Sequence, residues 1–270
     1  MAYFFRSVVA AIAIAMVAAG SAQALDLRGN LVQGGLVFGQ VDPGSELHLN
    51  GRPVHIGRDG HFLFGLSRDE APTALLELRR PDGRTEEQVL SISAQTYDIE
   101  RVDGLPPRTV NIPEEERQRR QRERSLVGAA RASQTEALDW LGGFIRPASG
   151  RISGVYGSQR ILNGEPRTPH YGLDIAAPVG EPIYAPAAGV VRLAQPDFLL
   201  EGGIVIIDHG FALFSTLFHM NSVSVTEGQR VAQGDQIGTI GAKGRASGPH
   251  VDWRINWGSV RLDPALVLED

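Results

Sequence analysis

Cysteine is missing altogether from the 270 residues. Its absence excludes disulfide frameworks, thiolate metal sites, thiol catalysis and lipid attachment at an N-terminal cysteine. Lysine is nearly missing too, Lys243 being the only one among 26 basic residues. Positive charge is in no excess, because 31 acidic residues leave a formal charge of −5, and no basic footprint for nucleic acid results. Long apolar runs are scarce. Val8–Ala19 is unbroken but shorter than the ~20 residues that cross a bilayer, and nothing after Leu25 could span one. What remains is a globular balance, 42% hydrophobic and 21% charged, which rules out wholesale disorder. The 32 glycines and 16 prolines point to many tight turns and hence to β structure. At ~150 residues per domain, the length allows one or two domains.

Arg6 precedes the Val8–Ala19 run, and Ala22-Gln23-Ala24 follows it. A basic start, a short apolar stretch and a small-x-small site read as a secretory signal peptide over residues 1–24, cut after Ala24. The mature chain is then expected to be exported to the periplasm, with no transmembrane segment left. From residue 25 to 105 short strand signals alternate with turns. Leu36–Val41 ends at Asp42-Pro43-Gly44, Leu47–Leu49 at Asn50-Gly51, and Leu75–Leu78 at Pro81-Asp82-Gly83; Val54–Ile56 meets Arg58-Asp59-Gly60 before Phe62–Leu66. Asn-Gly and Asp-Gly supply the positive φ that hairpin turns need, so a small β-sandwich-like domain is expected here. His48, His55 and His61 fall in its hairpins, with no carboxylate at a suggestive spacing, and read as surface residues rather than metal ligands.

Residues 106–145 read as a charged helical linker. Pro113 and Glu114-Glu115-Glu116 suit a helix start, since proline and acids complement its unpaired N–H groups. The pattern could run to about Leu141 and stop at Gly142-Gly143. With five Arg against four Glu between positions 114 and 124, a solvated connector is expected. Residues 146–270 return to strand and turn: Ile204–Ile207 is a continuous apolar run, as in a central strand. The whole chain therefore reads as all-β apart from the linker.

Four of the seven histidines lie in this last part. In His170-Tyr171-Gly172-Leu173-Asp174 the two polar residues stand four apart, which places them on one face of a strand or of a helix; Pro169 and Gly172 disfavour helix. His250-Val251-Asp252 is an i, i+2 pair that shares a face if extended. His219 is a lone ring at the end of an apolar strand. His209, beside Gly210, reads as structural. Two histidines and two carboxylates at defined faces of one β domain, with no cysteine, suit a catalytic zinc site, where about three protein ligands leave one position open.

Pro169–Pro178 resembles the HxxxD segment of the lysostaphin-type (LytM-domain) zinc endopeptidases, an exported bacterial family that cleaves peptide cross-links of peptidoglycan. Ala185–Val191, Ile207–Gly210, Glu227–Val231, Gly234-Asp235 and Ser247–His250 continue the likeness in order over about 120 residues. The resemblance implies a LytM-type antiparallel β domain and hydrolysis by a metal-activated water. It also implies His170 and Asp174 as metal ligands, with His219 and His250 as the unligated catalytic histidines. The family's third ligand is a histidine, and here Asp252 stands in its place. Aspartate ligates zinc as well, so His170, Asp174 and Asp252 are expected to hold zinc or, with this oxygen-richer set, another divalent ion. Around a dication those three ligands sum to zero charge, against +1 for two histidines and one aspartate, which predicts a weaker Lewis acid. Arg160, Asn163 and Arg167, on a polar loop before His170, are expected to contact peptidoglycan stem peptides. Two other readings compete. One is a degenerate LytM-like module that binds peptidoglycan or activates a cell-wall amidase. The other is a prosthetic-group carrier, suggested by the Gly-punctuated Val225–Gly238 stretch, for which Lys243 would have to be the attachment site.

Overall fold

A computed structural model describes residues 25–102, 114–162 and 164–268. The signal-peptide expectation, the Leu105-Pro106-Pro107 and Pro113 readings and Asn163 lie outside the described residues. Among those described, no helix is long and apolar enough to cross a membrane.

The N-terminal stretch folds as two small antiparallel sheets. One is ordered β1 (Leu27–Gly29), β2 (Leu36–Gln40) and β5 (His61–Gly65); the other is ordered β4 (Arg52–Val54), β3 (Glu46–Leu49), β6 (Thr73–Arg79) and β7 (Thr85–Ser91). Asn50 and Gly51 join β3 to β4 with φ of 50° and 71°, the double positive φ of a type I′ turn. Between the sheets lie Val37, Phe62 and Phe64 from one side and Leu47, Leu76, Leu78 and Leu90 from the other. Neither β2 nor β5 alternates apolar with polar residues. Their second face carries Leu36, Phe38 and Leu63 into the core of the C-terminal half, so this sheet is buried on both sides.

β8 (Ile99–Val102) leaves the sandwich and pairs in parallel with β10 (Gln159–Leu162), which forms a ribbon with β11 (Glu165–Pro166). Helix α1 covers Glu114–Ala130, ending well short of Leu141. Ser133 and Thr135 leave it to donate hydroxyl hydrogen bonds to the buried Asp208 carboxylate, and the Thr135 carbonyl accepts from Phe211 N–H. These contacts to the sheet outweigh local helix propensity. Nor is α1 a freely solvated connector. Val127 and Ala130 pack on Leu193, Ile206, Phe214 and Phe218.

The C-terminal strands are β9 (Arg151–Gly154), β12 (Leu173–Ala176), β13 (Pro182–Tyr184), β14 (Gly189–Phe198), β15 (Gly202–Asp208), β16 (Leu213–Val223), β17 (Arg230–Val231), β18 (Gln236–Ile240), β19 (His250–Trp257) and β20 (Val260–Leu262). They form one sheet whose main path is β17-β14-β15-β16-β19-β12-β9. All seven residues of the central β15 are buried, as its unbroken apolar run predicts. One face carries the main core, with Ile175, Ile207, Leu217, Val251 and Trp253. Alternation turns Asp174, Phe218, Asp252 and Arg254 to the other face, part of which is roofed by α1.

Candidate metal and catalytic site

Antiparallel pairing sets Asp174 of β12 directly opposite Asp252 of β19, and Asp252 opposite Phe218 of β16. Two carboxylates facing one another across a ladder repel unless positive charge joins them. His170 supplies one neighbour. Its backbone is fixed by two hydrogen bonds, N–H to Ser158 and carbonyl from Gly157, and its Nε2 lies 3.2 Å from Asp174 Oδ1. That pair is too poorly aligned to hydrogen-bond, and both atoms are buried with no partner among the described residues. One ligand atom from each of His170, Asp174 and Asp252 lies within 4.8 Å of the others. Burial opposes protonation of His170, but the two carboxylates outweigh it and raise its pKa.

The carboxylates sit in cradles that only glycine permits. A Cβ on Gly172 would meet Asp252 Oδ1 at 1.9 Å, and one on Gly154 would meet Asp174 Oδ2 at 2.3 Å. Two orphaned ligand atoms facing each other, a third ligand group beside them and room kept for the oxygens fit a divalent ion.

His219 and His250 flank the group, with ring centroids 4.7 Å apart. The Nδ1–H of His219 donates to the Lys243 carbonyl and that of His250 to the Gly248 carbonyl, both at 2.8 Å. A carbonyl can only accept, so each ring keeps its proton there and presents Nε2 to the site. His250 Nε2 is 3.9 Å from Asp174 Oδ1. Burial lowers the His219 pKa, against the pull of the Lys243 carbonyl. His219 has a φ of 63°, and its N–H donates to the Glu201 carbonyl at 2.7 Å. Its strand does not stop there: β16 continues to Val223.

Arg254 is the residue the sequence reading missed. Its Nε donates to both Asp252 oxygens at 3.1 and 3.0 Å and its Nη2 to Oδ2 at 2.6 Å. Burial would raise the Asp252 pKa, but Arg254 holds the carboxyl below the ordinary range. Counting that cation corrects the charge bookkeeping. With Arg254 included, the expected zero around a dication returns to +1, the value for two histidines and one aspartate. Arg254 stands two residues after Asp252 on the same strand, so the i, i+2 rule that paired 250 with 252 could also have found it.

Arg160 lies in β10 and Arg167 just past β11, on the approach to His170. Arg160 Nε pairs with Glu100 at 2.8 Å, and Arg167 Nη2 lies 3.5 Å from Glu165. His209 is fully buried. His61 has an acidic neighbour in Asp59 at 2.9 Å, and His55 lies 3.7 Å from Glu136, which is distant in the sequence. Neither belongs to the three-ligand group. Lys243 Nζ donates to the Asn221 carbonyl.

The model of peptidase family M23 matches residues 168–264. Over 106 residues the chain is 34% identical to peptidoglycan DD-endopeptidase ShyA of Vibrio cholerae, covering 39% of this chain and 24% of ShyA. Over 103 residues it is 32% identical to the cell division protein DipM of Caulobacter vibrioides, covering 36% of this chain and 17% of DipM. The chain thus spans about a quarter or less of these relatives. A crystal structure of a Pseudomonas aeruginosa protein assigned to peptidase M23 superposes with a TM-score of 0.67 at 29% identity, covering 88% of this chain and 95% of that one. Ligand group, sheet and sequence match coincide on one stretch: residues 168–264, which match peptidase family M23, hold all three candidate ligands.

Proposed function

We propose that this chain is an exported, divalent-metal-dependent endopeptidase that hydrolyses peptide cross-links of peptidoglycan. The observation that carries the proposal is the facing pair of buried atoms without a hydrogen bond among the described residues, His170 Nε2 and Asp174 Oδ1, beside the Asp252 carboxylate. Such atoms cost free energy unless something absent from the chain satisfies them. His170, Asp174 and Asp252 would hold the ion. Zinc or a similar dication, when bound there, supplies a Lewis acid and a more acidic water. The protein's own part follows from the histidine tautomers. With each Nδ1–H tied to a carbonyl, the bare Nε2 of one ring accepts a proton from the attacking water, and the other ring, once doubly protonated, donates from Nε2–H to the developing oxyanion. The lowered pKa of His219 keeps that ring neutral and able to accept. Arg254 offsets the extra anion at position 252, so the aspartate need not weaken the site as two uncompensated carboxylates would. Arg160, Asn163 and Arg167 are retained as contacts to the stem peptide on the approach to His170.

One observation favours the second reading. The same Arg254 that compensates Asp252 occupies both of its oxygens, as a cation replacing a metal would in a non-catalytic module that binds peptidoglycan or activates an amidase. Purified sacculi separate the two. The protein lacking residues 1–24 is expected to release new stem-peptide amino termini, to lose that activity with a chelator or with Asp252→Ala, and to carry one divalent ion that His170→Ala abolishes. Intact sacculi under every divalent metal tried, with no bound metal and retained wall binding, would leave the module.

A further inference from the structure

Most of the less exposed arginines in this protein are matched by a carboxylate. Arg80 pairs with Glu86, Arg120 with Glu201, Arg192 with Asp208 and Arg254 with Asp252. Arg131 and Arg261 are not. Arg131, just past the end of α1, donates from Nη2 to Thr216 Oγ1 at 2.7 Å, and its Nε is buried without an acceptor among the described residues. Arg261 of β20 has its Cζ 4.7 Å from the centre of the Tyr171 ring, and no ion pair to it is found among the described residues. Both stand beside Arg254. Thr216 lies directly opposite Arg254 across the β16–β19 ladder, and Arg261 lies opposite Asn256, one same-face position further along β19. Three guanidinium groups therefore share one sheet face, and among the described residues Asp252 is the only carboxylate that pairs with any of them. Arg254 commits Nε and Nη2 to Asp252 and keeps Nη1 for another acceptor.

We propose that Arg131, Arg254 and Arg261 form a carboxylate-binding subsite that seats an acidic group of the peptide substrate beside the His170–Asp174–Asp252 cluster. The proposal deepens the peptidase reading and rests on it for the identity of the ligand. The chemistry is that of the guanidinium fork, whose paired donors match a carboxylate and do so best where water is scarce. Location gives the register. Arg254 is two residues from Asp252, about 7 Å along a strand, and Tyr171, under Arg261, is next to His170. The seated carboxylate thus belongs to a residue one or two positions from the bond to be cut. The electrostatics agree: burial, with the charges of Arg261 and Arg254, pushes the Arg131 pKa down to about 10, and burial with Arg254 lowers that of Arg261. Among the described residues neither Arg131 nor Arg261 forms an ion pair, and Glu201 only partly offsets the charge around Arg131.

Calorimetric titration of the protein lacking residues 1–24 with two N-acetylated, C-amidated tripeptides, Ala-Glu-Ala and Ala-Gln-Ala, tests this, in low salt with and without chelator. The acidic peptide is expected to bind roughly tenfold or more tightly than its amide twin, with the preference fading as salt rises. Arg261→Gln and Arg131→Gln should each bring the two peptides to within about twofold, and Arg131→Lys should restore part of the difference. Metal content and thermal midpoint are followed in every variant to confirm folding. Equal affinity for the two peptides in the unmodified protein, or a full preference surviving both glutamine variants, would overturn the subsite. Cleaved sacculi without a carboxylate preference sink this inference alone. Intact sacculi with the preference present sink the peptidase reading and leave an anion site.

Discussion

His209 is a residue whose partners dictate its charge. The Nδ1–H donates to the Ala188 carbonyl, so Nε2 accepts from the Ser215 hydroxyl, whose oxygen in turn accepts from Trp253 Nε1. Full burial pushes the imidazole pKa down from 6.5 to about 4, against the opposing pull of the Ala188 carbonyl. Below pH 6.5 the unfolded chain takes up a proton that the folded ring refuses until about pH 4. Stability therefore falls as pH falls through that window, by about 3 kcal/mol for this group. Urea midpoints measured from pH 7 to pH 4 should show the decline, and His209→Gln should flatten it; an unchanged slope in the variant would contradict the assignment. The sequence marked His209 as structural, from its place beside a glycine at a strand end. The i, i+4 and i, i+2 spacings also paired His170 with Asp174 and His250 with Asp252, and the family resemblance, not spacing, joined the pairs to His219. The sequence could not show that His219 sits in a left-handed backbone, since that φ is imposed by Glu201 and Lys243, distant in the chain. Nor did it reveal that Gly154 and Gly172 are held by the carboxylates above them rather than by turns.

Helix α1 shows where local reading stops. Its composition is charged enough to stand in water, and alone it would be a poor helix in any other setting. The charges are instead used to dock. Arg120 pairs with Glu201 at 2.7 Å, and Arg119 donates to the Asp197 carbonyl at 2.8 Å. Glu123, 5% exposed, accepts from Leu199 N–H and from Arg119, both at 2.9 Å. These contacts hold the loop between β14 and β15, and that loop supplies the Glu201 carbonyl to His219. Glu123→Ala would strand the Leu199 N–H and take one of the partners of Arg119, and is expected to cost about 1–3 kcal/mol. Chemical denaturation should read that loss, while Arg124→Ala on the exposed side should stay within about 0.5 kcal/mol. Equal effects from the two would mean that the helix merely rests on the sheet. Its end at Ala130 was illegible because the alanines that follow favour helix; only Asp208, from another element, explains why the chain departs.

Taken whole, the molecule is a stack in which the β1-β2-β5 sheet is the middle layer, with the four-stranded sheet on one side and the C-terminal core on the other. Unbroken apolar strings at Leu36-Val37-Phe38 and Phe62-Leu63-Phe64 are the sequence form of that arrangement. They were legible as strands, but their lack of alternation was the overlooked sign that both faces are covered. Leu63 is 1% exposed and belongs to the C-terminal core although it grows from the N-terminal stretch. Arg68 reinforces the join, donating from Nε and Nη2 to the Gly157 carbonyl. Calorimetry should therefore give one cooperative transition for the chain. Leu63→Ala should destabilise that transition as a unit, by about 2–5 kcal/mol; two separate transitions, only one of them shifted, would refute the shared core. A different consequence attaches to β8. The ribbon leading up to His170 leans on residues 99–102, so the footing of the strand that precedes a ligand is laid by a stretch outside the matched domain.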